Sequence, residues 1–219
     1  MSSSISKDIS ERIRNVNIYD QQRPYQSINN INGIRNTKTR LQLMQFPENF
    51  NQESILDIGC NTGVFCLEAK KRNAGRIMGI DYSTRSILLA KDLNTQYGYD
   101  IEFNACNLNH DFSDVTTILG VKSFDNIFAL SVWKHIYDNN FWAVIRLYCR
   151  KHCYIELNAV QDGRYHSTEL KQLIKKLKHS PNKMCQYLLK RSGAKTVIYL
   201  GQSKDNGKRG CYKINFQHS

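Results

Sequence analysis

From Glu53 onward the chain alternates short apolar runs with helical stretches, and this alternation constrains its fold more than any other feature. Strand candidates at 54–58, 76–81, 101–105, 124–130 and 153–157 are separated by helix candidates at 64–72, 83–97, around Thr116, and 139–151. Strand, helix and returning strand in the same direction build a parallel sheet covered by helices on both faces. Further on, Leu170, Leu173, Ile174 and Leu177 recur at helical spacing and predict an amphipathic helix over 167–179, with lysines on its outer face. Another helix is expected from Ser180-Pro181, the serine capping and the proline in the first turn, to near Gly193. Two final strands, 196–200 and 210–216, are joined by a polar turn containing Asp205-Asn206-Gly207, which makes them antiparallel neighbours. The expected class is α/β: a seven-stranded, mostly parallel sheet with a C-terminal antiparallel hairpin.

The first 45 residues read differently. A short helix is expected at 10–16. Residues 19–36 are rich in Asn, Gln and Gly with Pro24 and Gly33 as breakers, and a helix over 37–46 is stopped by Pro47. Such a segment is too polar to fold alone, so residues 1–45 are expected to form an arm or lid on a domain made by 46–219.

Composition narrows the setting. No stretch approaches the roughly 18 to 20 apolar residues that cross a bilayer, and the polar start lacks the apolar core of a secretory signal. The expectation is a cytoplasmic, reducing location without membrane contact. Seven scattered cysteines fit reduced thiols packed as small hydrophobes. Cys149-Arg150-Lys151-His152-Cys153 offers metal-ligand types but no second ligand pair at zinc spacing, so no metal is expected. The net charge of +12 is uneven: residues 160–219 hold 13 Lys+Arg against three Asp+Glu, while 51–159 hold 11 against 12. A basic C-terminal lobe suits a polyanion such as RNA, and equally a solvated lysine face.

The chemistry concentrates in Ile55-Leu56-Asp57-Ile58-Gly59-Cys60-Asn61-Thr62-Gly63-Val64. A chain that turns sharply from strand to helix while lying against a ligand needs glycine where a Cβ would collide. The helix amides that follow face the crevice and hold a carboxylate. Ile77-Met78-Gly79-Ile80-Asp81 ends the second strand with an acid 24 positions after Asp57, where a carboxylate accepts both hydroxyls of a ribose or caps the next helix.

Together with Gly79-Ile80-Asp81-Tyr82-Ser83 and Ser131-Val132-Trp133-Lys134-His135-Ile136, this loop resembles the motifs of class I S-adenosylmethionine-dependent methyltransferases, by motif over about residues 50–160. The resemblance implies a Rossmann-like fold and S-adenosyl-L-methionine as cofactor. It places the methionine portion against Asp57, Gly59, Cys60, Asn61 and Gly63, and the ribose on Asp81 beside Tyr82. Asn107, Leu108 and Ser131 complete the expected pocket. Two positions depart from the pattern: Asn61 replaces the middle glycine, and Asn107 stands where an acid would meet the adenine amino group, accepting a proton without supplying charge. The arm resembles leaders that close over the cofactor, with Tyr25 covering the sulfonium and Arg40 reaching a carboxylate. A loop packed on the sheet edge is the other reading of the same residues.

For the acceptor, the carboxyl ends of the fourth and fifth strands supply the pool: Ser131, Trp133, His135, Glu156, Asn158, Tyr165 and His166. His135, Glu156 and His166 are the expected catalytic residues. A histidine moves a proton near neutral pH, and Glu156 in an apolar strand needs a partner, whether substrate or structural ion pair. There is no GxxxxGK[ST], GxSxG or HExxH motif, nor an Asn-Pro-Pro-Tyr type motif after the fourth strand. The expected activity is methyl transfer to an oxygen or nitrogen, slightly favouring RNA over a metabolite or sugar. A non-catalytic binding module of the same fold is the alternative class.

Overall fold

The computed structural model describes residues 6–15, 25–28, 31–33, 35–110, 112–120, 123–157, 167–177, 179–203 and 209–216. Its centre is set by three strands in which every residue is buried: β1 (Ile55–Ile58), β2 (Ile77–Asp81) and β4 (Phe124–Leu130). Such runs are apolar almost throughout because a parallel sheet is covered on both faces. β3 (Glu102–Ala105) lies outside β2, and β5 (Cys149–Glu156) continues parallel beyond β4. β7 (Gly210–Asn215) and β6 (Thr196–Gln202) close the other edge antiparallel, giving the order β3-β2-β1-β4-β5-β7-β6. This is the expected seven-stranded mixed sheet with its terminal hairpin; the turn at 205–207 lies outside the described residues.

Side chains alternate along each strand and divide the core in two. Leu56, Ile58, Met78, Ile80, Ile127 and Ala129 face one layer, and Ile55, Ile77, Phe128 and Leu130 face the other. The first layer is covered by α5 (Phe112–Leu119), α6 (Asp138–Tyr148), α7 (Thr168–Leu177) and α8 (Pro181–Ser192). The second is covered by α3 (Val64–Lys71) and α4 (Thr84–Tyr97), with Ile13 of α1 (Lys7–Asn15) and Met44 of α2 (Thr37–Met44) packed into the same cluster. As its spacing predicts, α7 buries Leu170, Ile174 and Leu177.

Three local expectations are corrected. The helix expected at 139–151 ends at Tyr148, because Cys149 is extended and pairs with Phe124 while His152 pairs with Asn126 and Asn215. Pairing on both edges of β5 outweighs the helical spacing of these residues. Cys149 and Cys153 thereby face one buried layer, and His152 Nδ1 lies 2.9 Å from Asn215 Oδ1. Second, Ser180 stands at the cap position of α8 without a side-chain capping bond, although Pro181 begins the helix as expected. Third, α2 stops at Met44, two residues short of the expected Phe46, through Gln45 in a left-handed conformation. Among the described residues no three potential ligands gather for a metal, and no helix is long and apolar enough to cross a membrane.

Candidate functional site

The site is built outward from the end of β1. Gly59 has φ +71°, and a Cβ there would lie 2.5 Å from Val132 Cγ2; Gly63 has φ +76°, and a Cβ would meet the Phe103 ring at 2.6 Å. Both positions require glycine for backbone freedom and for space. Asn61 also sits in the left-handed region, at φ 52°. Asparagine is among the few side chains that adopt it readily, and its Oδ1 accepts the Thr62 amide at 2.9 Å, which accounts for this replacement of the middle glycine.

The loop is tied to the end of β2. The amides of Gly59 and Cys60 both donate to the Ile80 carbonyl, at 2.8 and 3.0 Å. Asp81 Oδ2 accepts the Asn61 amide and Oδ1 the Ser83 amide, both at 2.9 Å. Ser83, not Asp81, caps α4 by accepting the Ser86 amide. A carboxylate offers about four acceptor directions, so Asp81 retains capacity for two hydroxyls. Burial raises its pKa against those two amide bonds. Beside it, Tyr82 is 73% exposed, a large flat ring turned to solvent at the mouth of the crevice.

Deeper in β1, Asp57 is buried and accepts the Cys66 thiol at 3.4 Å. Burial pushes its pKa up to about 7, against the Cys66 hydrogen bond and the charge of Arg40. Cys60 is buried against the sheet. After β3, Asn107 turns its Oδ1 onto the Asn109 amide at 3.0 Å, and Leu108 packs into the core. A cavity of about 280 Å³ opens here, lined by Ala105, Cys106, Asn107, His110, Thr117 and Ile118. Asn109 then reaches the loop after β4, donating to the His135 carbonyl at 2.8 Å and accepting the Tyr137 amide at 2.7 Å.

The acceptor candidates separate. Trp133 is core: fully buried, stacked on Phe141, with its indole N–H on Asp138 at 2.9 Å. His135 is exposed on the 3-10 turn Trp133–His135. Asn158, Tyr165 and His166 lie outside the described residues. Glu156 is completely buried at the end of β5, where its oxygens accept Arg35 Nη2 at 2.6 Å and Arg40 Nη2 at 2.7 Å. Burial raises its pKa, but Arg40, Arg35, Arg209 and the Ser131 hydroxyl outweigh that and hold it to about 2. The catalytic expectation for Glu156 gives way on this ground: a carboxylate locked between two arginines is an anchor, and general acid–base work near neutral pH lies outside its range.

What it anchors is the arm. Arg35 and Arg40 bring 35–44 onto the carboxyl end of the sheet, and Arg40 also lies over the Phe65 ring at 4.8 Å. Gln26 is buried and accepts the Thr62 hydroxyl of the glycine loop at 3.4 Å. Tyr25, expected over the sulfonium, accepts Arg209 Nη1 through its hydroxyl at 3.0 Å. Ser131, at φ 64° where β4 ends, accepts the same Nη1 at 2.7 Å and donates to Glu156. Sequence reasoning passed over Arg209; the signal for it is register, since Cys211 pairs opposite Glu156 and sets the residue before β7 beside the β5 end.

The methyltransferase domain family accounts for residues 49–207. A ubiquinone biosynthesis O-methyltransferase of Brucella anthropi is 33% identical over 92 residues, which are 42% of this chain and 34% of that protein. A probable protein arginine N-methyltransferase 3 of Oryza sativa subsp. indica is 27% identical over 90 residues, 41% of this chain. The chain thus spans well under half of the length of either relative, 14% in the rice protein. Among solved structures, the bifunctional kinase-methyltransferase WbdD superimposes with a TM-score of 0.65 at 19% identity, covering 94% of this chain and 46% of that one, a likeness of fold. With its strand order, its glycine loop tied to the acid after β2 and the family match over most of its length, the chain belongs to the methyltransferase domain family of class I S-adenosylmethionine-dependent fold.

Proposed function

We propose that the protein transfers a methyl group from S-adenosyl-L-methionine to an oxygen or nitrogen acceptor. The observation that carries this is Asp81, bonded to the Asn61 and Ser83 amides with acceptor capacity left for a ribose. The residues fit the cofactor: the bends at Gly59 and Gly63 leave no room for a Cβ, and Tyr82 offers an exposed ring beside the acid. When bound, the cofactor supplies an electrophilic methyl on a sulfonium. The chain's part is to hold and orient the two reactants and exclude water, which is where the largest entropic gain lies.

RNA as acceptor is supported by the basic lobe: Lys171, Lys175 and Lys176 of α7 and Lys183 and Lys190 of α8 are exposed while the apolar faces of both helices are buried. A small metabolite or sugar is supported by the arm, whose contacts with Thr62 and Glu156 restrict the carboxyl edge of the sheet. His135 and His166 remain candidates for moving the acceptor proton.

The test is calorimetric titration of S-adenosylmethionine and S-adenosylhomocysteine into the protein, with Asp81→Ala as control, followed by labelled-methyl transfer onto RNA and metabolite pools. Binding lost in the variant and label on an acceptor are the expected results. No binding to the wild type overturns the reading, and tight binding with no turnover on either pool favours a non-catalytic module.

A further inference from the structure

Three guanidinium groups meet at the carboxyl ends of β4 and β5. Arg35 and Arg40 come from the arm, Arg209 precedes β7, and all three are buried. Glu156 accepts one hydrogen bond from each of the first two, and Arg209 reaches the Ser131 and Tyr25 hydroxyls. Arg40 keeps Nε and Nη1 buried with no acceptor among the described residues. The Phe65 ring beneath it attracts the charge but does not take up N–H groups that lie in the guanidinium plane. A buried cation with unanswered donors is costly, and planar forks beside hydroxyls match an oxyanion in shape and charge.

Position indicates whose oxyanion it is. Of the residues expected to hold the cofactor, those from Asp57 to Leu108 lie on or after β1, β2 and β3, which make one half of the sheet, while Tyr25, Arg40 and Ser131 stand within the arginine cluster. Ser131, Glu156 and Arg209 stand at β4, β5 and β7, across the crevice. We propose that the arginine cluster binds an oxyanion, phosphate or carboxylate, carried by the methyl acceptor. This rests on the methyltransferase reading of the same site.

Calorimetry on the full chain tests it, with inorganic phosphate and acetate titrated into protein saturated with S-adenosylhomocysteine and into protein without it. Phosphate or acetate is expected to bind the saturated protein at millimolar concentration. Arg209→Gln is expected to weaken the anion about tenfold, the loss of one charge-assisted hydrogen bond, with S-adenosylhomocysteine affinity unchanged. Arg209→Lys, which keeps the charge and gives up the fork, should fall between, and thermal melts confirm that both variants are folded. Absence of anion binding beside intact S-adenosylhomocysteine binding overturns the proposal alone. Displacement of the anion by S-adenosylhomocysteine overturns it too, assigning the cluster to the cofactor's carboxylate. Absence of S-adenosylhomocysteine binding overturns the methyltransferase reading, and the acceptor assignment with it.

Discussion

The main-chain amide of Asn61 donates to Asp81 Oδ2 at 2.9 Å, so the acid after β2 shapes the loop after β1 as well as facing the crevice. Asp81→Ala therefore removes a loop anchor and a ligand acceptor together. S-adenosylhomocysteine affinity should fall by about a hundredfold or more, since hydrogen bonds to a charged acceptor are lost together with the loop anchor. Calorimetry reads this directly, and an unchanged affinity would place the ribose elsewhere.

The glycine loop makes a graded prediction. Gly59→Ala drives a methyl into Val132 at a backbone angle that L residues resist, and should cost about 1–3 kcal/mol. Val132→Ala in the same chain should return part of that loss, because it removes the clash and leaves the strain. Asn61→Gly should be near neutral, while Asn61→Val should cost about 1–2 kcal/mol. Urea unfolding separates the four variants.

Removing the charge of Glu156 leaves two buried arginines facing a neutral amide. Glu156→Gln should lose about 3–5 kcal/mol, the usual result of breaking a buried ion pair from one side. A loss under about 1 kcal/mol in urea unfolding would show that the arm is held by its apolar contacts at Ile28 and Met44 instead.

Asp57 sets a pH dependence of unusual sign. Its pKa rises from 3.8 to about 7 on folding, so between those values the folded chain holds more proton than the unfolded one. Stability should then decline as pH rises from about 4 to 7 and level off above, since the unfolding free energy falls wherever the native state binds the extra proton. Glu156, held to about 2, acts oppositely and lower, its contribution being lost as pH falls from 4.5 through 2. Urea midpoints at pH 5 and pH 7.5 should differ in the wild type and converge in Asp57→Asn.

The order of elements was legible because it rests on local pattern: mostly apolar runs for β1, β2 and β4, glycines at Gly59 and Gly63, and the acid at Asp81. Residues 149–152 were not legible as strand, since their conformation is set by partners at Phe124, Asn126 and Asn215 that no local window contains. The same holds for Glu156. Its burial was evident from Tyr154-Ile155-Glu156-Leu157, but the identity of its partners, more than a hundred positions upstream, is a property of the folded chain. Arg209 belongs with it, as a residue placed by antiparallel register.

The hydrogen bond from Arg209 to Tyr25 joins positions 184 apart in the chain. During synthesis the arm emerges before β1 and β7 after β6, so the carboxyl edge of β4 and β5 stays incomplete until β7 has left the ribosome. A nascent chain with β1 to β5 already paired would carry the glycine loop but not the clasp. Assembly of the complete site is in this sense a late step in forming this sheet, met when the segment before β1 and the residue before β7 close around Ser131.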